Sequence, residues 1–143
     1  MNQIELAKAV GDRLCEGDQK LMELLGIELI EIAPGRSVNR LTVRDDLVNI
    51  ANVCQGGILF SLADHALAYA CMSMNVAGAT LNANMTYTRP APMGDTLTAT
   101  AEVTFDGGGR TMTGRVEIIN QDGTVIAQMT GVWNKIQEQI VHV

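Results

Sequence analysis

Residues Asn49–Met74 read NIANVCQGGILFSLADHALAYACMSM, a glycine pair opening an apolar run whose single carboxylate is Asp64. Beyond the pair, up to Met74, the other side chains are small, apolar or aromatic apart from Ser61, His65 and Ser73. At helical spacing Leu59, Leu62, Ala63, Ala66, Leu67 and Ala70 cover most of the cylinder. That pattern predicts a core helix, apolar nearly all round, rather than an amphipathic one. A buried carboxylate in such a helix is costly unless it is partnered or used. Gly56 and Gly57 let a ligand approach the amides of the first helical turn, where partial positive charge collects. Oxyanion donors at the front and a carboxylate two turns on point to acyl-transfer chemistry.

The rest of the chain limits what this helix can belong to. With 143 residues, 47% of them hydrophobic, the chain has enough apolar side chains for one folded domain, residues 1–143. A net charge of −6 argues against nucleic acid and against an anionic membrane surface as partners. The central run reaches membrane-spanning length, but Asp64, His65 and the glycines favour a protein core. The first residues, MNQIELAKAVGDRLCEGDQ, interrupt their apolar positions with charges and lack the apolar stretch of a signal peptide. Cys15, Cys54 and Cys71 show no CxxC spacing and cannot all pair, which fits reduced thiols in a cytoplasmic protein.

Outward from the helix, the flanks read as strands. Upstream, residues from about Glu5 to Leu25 predict one amphipathic helix stopped by Gly26. Two strands, 26–33 and 37–43, are joined by the turn dipeptide Pro34-Gly35. Downstream come four strands, 80–89, 96–105, 110–120 and 124–136. In the first, Leu81, Ala83, Met85 and Tyr87 alternate against Thr80, Asn82, Asn84 and Thr86. In the second, Leu97, Ala99, Ala101, Val103 and Phe105 share one face. Gly107-Gly108-Gly109 and Gln121-Asp122-Gly123 mark the turns that follow. Two strands before one long helix and four after it, with hairpin connections, predict an α+β fold: an antiparallel sheet curled around the helix.

These residues resemble a known family. Its pattern is Asn, two residues, Gly, two residues, His-Gly-Gly, six residues, Asp. It is similar to Asn49–Gly57 followed by Asp64, and the wording continues through LFSLAD (59–64) and TYTRPAPMGDTLTATAEV (86–103). This is the motif of the PaaI-like, phenylacetate-degradation type acyl-CoA thioesterases of the hotdog fold. The resemblance implies that Asn49 contacts the thioester carbonyl, that the Gly56 amide polarises it, and that Asp64 is nucleophile or general base. It also implies that Thr80 is the hydroxyl that helps hold the water. Two positions depart: the motif glycine is Asn52, and the histidine is Gln55. Glutamine keeps a hydrogen-bonding amide but carries no charge and cannot act as acid or base.

Several of these residues have a second reading. Asp64 could sit at a subunit interface bonded to backbone, Gly56-Gly57 could serve close packing, and Asn49 could cap a turn. Cys54 reads as core, and His65 as a surface or interface residue, about 100° around the helix from Asp64. His65 and His142 are too few and too badly spaced for zinc, so no metal and no cofactor is expected beyond the coenzyme A of the substrate. Gln55 and Gly57 are candidate substrate-binding residues; for the CoA phosphates, Arg89 and Arg110 are the candidate contacts, with plain solvated charges as the other reading.

The leading expectation is an aryl- or medium-chain acyl-CoA thioesterase. The alternatives are a non-catalytic acyl-CoA or acyl-carrier binder, made plausible by Gln55, and a hotdog dehydratase, which would need a histidine meeting a carboxylate. Gly56 and Asp64 are eight residues apart, about 12 Å along one helix, too far to serve one carbonyl. Two antiparallel helices across a two-fold axis solve this, which predicts a homodimer, or a dimer of dimers, with the active site between subunits.

Overall fold

The Pro34-Gly35 turn closes the first hairpin as expected, with Gly35 at φ 73°, between β1 (Glu28–Ala33) and β2 (Arg36–Thr42). In the computed structural model, which describes residues 1–143, these strands are preceded by α1 (Gln3–Gly17) and α2 (Gln19–Leu25). The central helix α3 (Gly56–Met72) follows, then β3 (Gly78–Tyr87), β4 (Thr96–Asp106), β5 (Thr111–Ile119) and β6 (Val125–Lys135). All six strands form one antiparallel sheet in the order β1-β2-β4-β5-β6-β3. Helix α3 lies against one face of that sheet, touching every strand. No helix is long and apolar enough to cross a membrane.

Two glycines seat the helix. Gly114 of β5 and Gly131 of β6 are cross-strand partners. A Cβ on either would stand 2.5 or 2.6 Å from a Leu67 methyl. Their missing side chains form the notch that receives Leu67, which is fully buried. Polar ties complete the docking. Ser37 Oγ of β2 donates to the Ala66 carbonyl at 2.7 Å inside the core, and the Gly35 amide donates to Ser73 Oγ at 2.8 Å. A buried hydroxyl needs such a partner, and here the helix backbone supplies it.

Four expectations are corrected. The N-terminal helix is two helices, broken at Asp18, which has φ −98° and ψ 8°. The break lets Asp18 Oδ2 accept from the Tyr69 hydroxyl of α3 at 2.8 Å while Met22 turns into the core. The β3 alternation fails at a bulge between Thr80 and Asn82, so Leu81 faces solvent. A second bulge between Val103 and Phe105 puts Phe105 outside as well. Each bulge adds a residue and flips the faces beyond it. Finally, α3 is not covered all round within one chain. Gly57, Ser61, Asp64, Ala68 and Met72, spaced three or four apart, form an uncovered or half-covered stripe.

Candidate active site

The turn before α3 explains the motif residues one by one. Asn49 Oδ1 accepts from the amides of Ala51 at 2.9 Å and Val53 at 3.4 Å, so the turn-capping role is real. With its oxygen engaged and the side chain exposed, Asn49 has its Nδ2 hydrogens free to donate outward. Asn52 sits at φ 60°, in the left-handed region. The family motif has glycine there because that backbone disfavours a Cβ. Asparagine is among the few side chains that tolerate it. Gln55 is the N-cap of α3: its Oε1 accepts from the Ile58 amide at 3.2 Å.

The amides of Gly56 and Gly57, the first two of the helix, therefore donate to nothing in the chain. Tyr87, at the far end of β3, donates its hydroxyl to the Gly56 carbonyl at 3.1 Å, and its ring lies 3.5 Å from where a Gly56 Cβ would stand. That contact fixes the peptide plane that carries the Gly57 N–H. Nothing in the sequence pattern marked Tyr87 for this; its place among the inward apolar positions of β3 suggested packing alone.

Two turns on, Asp64 Oδ1 accepts from Thr80 Oγ1 at 2.7 Å. The β3 bulge makes this possible. It puts Thr80 on the helix side together with Ala83 and Met85, where strict alternation would have put it on the opposite face. Thr80 is the sole hydrogen-bond donor to Asp64 within the chain, so Oδ2 is free on the open stripe of α3. A carboxylate with one oxygen held and one free, and a helix start with unpaired amides, are the parts needed for attack on an activated acyl carbon.

Residues 51–127, more than half of the chain, match the family model described as thioesterase superfamily. The chain belongs to the thioesterase superfamily. It is similar to the acyl-coenzyme A thioesterase PaaI of Escherichia coli, 40% identical over 78% of this chain and 79% of that one. It is also similar to a putative esterase of Archaeoglobus fulgidus (34% identical, 94% of this chain and 86% of the relative). The acyl-coenzyme A thioesterase 13 of Homo sapiens is 30% identical over 71% of this chain and 74% of its own length. The solved structure of the E. coli PaaI protein superposes with a TM-score of 0.93 at 35% identity, covering 96% of this chain and 99% of that chain. The antiparallel sheet around α3 is thus the hotdog fold of that enzyme, as expected.

Other residues of this thioesterase-superfamily chain fall into place around that pair. His65 is half-buried within the chain rather than fully exposed. Its ring stacks on Tyr69 with centroids 4.1 Å apart, and its Nε2 is enclosed without a partner. Burial lowers its pKa below the ordinary histidine value, against the opposing pull of Asp18 and Asp64. Cys54 is core, as expected, and burial pushes its thiol up to about 11. No three metal-ligating side chains converge. Arg89 and Arg110 are exposed and make no ion pair, but one chain does not bring them together. Arg89 follows the Tyr87–Ala127 end of the β3–β6 ladder, whereas the Arg110 carbonyl accepts from Lys135 at the Gly78 end. A ten-residue strand, about 30 Å, separates them.

Proposed function

We propose that this protein hydrolyses acyl-CoA thioesters, with an aryl or medium-chain acyl group, to the free acid and coenzyme A. The observation that carries this most directly is the Asp64–Thr80 hydrogen bond on the open stripe of a helix whose first amides are unpaired. The thioester oxygen takes the Gly56 amide, with Asn49 Nδ2 as a further donor. Thr80 holds Oδ1, leaving Oδ2 to take a proton from water or to attack the carbonyl carbon itself. In the first route water adds to the carbon and the thiolate of CoA leaves. In the second a mixed anhydride forms as the thiolate leaves, and water then opens it. Both routes end with the same acid, and CoA gains the proton released.

The site is shared between two subunits, because one helix cannot bring its own start and its own Asp64 to the same carbonyl. A homodimer, or a dimer of dimers, gives two equivalent sites. Gly57 leaves room at the helix start, and the exposed Arg89, on the side of the Gly56 helix start, is the basic residue best placed for the CoA phosphates; Arg110 would serve only from the other subunit. The relatives support the substrate class: E. coli PaaI and the human protein both carry the name acyl-coenzyme A thioesterase. Steady-state hydrolysis of a panel of acyl-CoAs, followed by thiol release, is the test. Turnover by the native chain that is lost in a folded Asp64→Asn variant supports the proposal. Binding without turnover across the panel overturns it.

A further inference from the structure

One carboxamide does two jobs at the start of α3. Gln55 Oε1 accepts from the Ile58 amide, so the oxygen of the amide group is spoken for and its orientation is set. The other end, Nε2, then carries two hydrogens with no acceptor in the chain, beside the free amides of Gly56 and Gly57. Gly57 is what makes room. A Cβ at Gly57 would stand 2.7 Å from Gln55 Oε1 and 3.5 Å from Nε2. Gly57 does not occupy the left-handed region, so backbone conformation gives no reason for glycine there. The space over its Cα is filled by the Gln55 carboxamide instead.

We propose that Gln55 Nε2 is a third hydrogen-bond donor to the thioester oxygen, beside the Gly56 amide and Asn49 Nδ2, and that Gly57 keeps open the space that holds it in place. This rests on the reading of the site as one that hydrolyses acyl thioesters. The donor is neutral and does not titrate, so its strength is constant across physiological pH, unlike an imidazole. It joins the Gly56 amide where negative charge develops, so its benefit is larger in the transition state than for bound substrate.

Four variants test it: Gln55→Glu, Gln55→Ala, Gly57→Ala and the double Gln55→Ala/Gly57→Ala. Gln55→Glu keeps the capping oxygen and adds an anion at a helix start, so its melting temperature holds or rises. Its kcat falls by about 100-fold or more, because an acceptor now faces the oxyanion. The clash at Gly57→Ala is with the far end of a flexible side chain, so this variant folds. It loses kcat to the same extent as Gln55→Ala, and the double variant loses no more than either alone. Native-like kcat in a folded Gln55→Glu variant reduces Gln55 to a helix cap and overturns the proposal. So does additive loss in the double variant. Native turnover of acyl-CoA is measured first: its absence overturns the functional reading itself, whereas native turnover with an indifferent Gln55→Glu overturns only the role of Gln55.

Discussion

Mixing Asp64→Asn chains with Asn49→Ala chains asks whether the site is built from two subunits. Gly56 and Asp64 lie on the same straight helix, α3, eight residues and about 12 Å apart. A reacting carbonyl needs its oxyanion donor within about 3 Å of oxygen and its base or nucleophile within about 3.5 Å of carbon. The helix exceeds that reach roughly twofold. In the proposed arrangement Asn49 goes with the helix start, seven residues before Gly56, and acts with the Asp64 of the other chain. In a heterodimer of the two variants, one site holds the intact Asp64 and the intact Asn49. The other holds both lesions. Each heterodimer therefore has about half the activity of a native dimer, and a statistical one-to-one mixture has about a quarter, though either parent alone is nearly inactive. Native mass spectrometry counts the heterodimers while thiol release is followed in the same sample. Heterodimers present at the statistical fraction, with activity no higher than the mean of the parents, would refute the cross-subunit arrangement.

Three further outcomes are expected. Thr80→Val removes the 2.7 Å donor to Asp64 without changing shape; because the pair is half exposed, we expect a loss of roughly 1–1.5 kcal/mol, about tenfold in kcat, with KM nearly unchanged in steady-state assays. Gly131→Ala forces a Cβ to 2.6 Å from Leu67 and lowers unfolding free energy in urea by about 1–3 kcal/mol; adding Leu67→Ala gives a double variant that loses clearly less than the two single losses combined. Burial keeps His65 neutral in the folded chain, so the unfolded chain takes up a proton first as pH falls below 6.5. Stability is full above that pH and declines below it, and a His65→Phe variant, which keeps the ring on Tyr69, shows a shallower decline in melting temperature between pH 7 and 5 if the buried imidazole is its cause.

Much of this protein was legible in its residues. The apolar faces at helical spacing between Leu59 and Ala70 determined a core helix, because few other arrangements bury so many side chains around one segment. Turn dipeptides such as Pro34-Gly35 and the 107–109 glycines marked the hairpins, because local φ requirements select those residues. The motif from Asn49 to Asp64 identified the candidate site. Tertiary structure decided the rest. The break at Asp18 hangs on a hydroxyl fifty-one residues away, Tyr69, which no local pattern can announce. The β3 bulge, which swings Thr80 toward Asp64 and Leu81 toward water, comes from pairing with β6, and alternation alone predicts the wrong face. Gly114 and Gly131 are ordinary strand glycines in the sequence; only the register that makes them partners under Leu67 reveals the notch. Composition and spacing determine what each segment can bury, but which atoms meet is set by contacts between residues far apart in the chain.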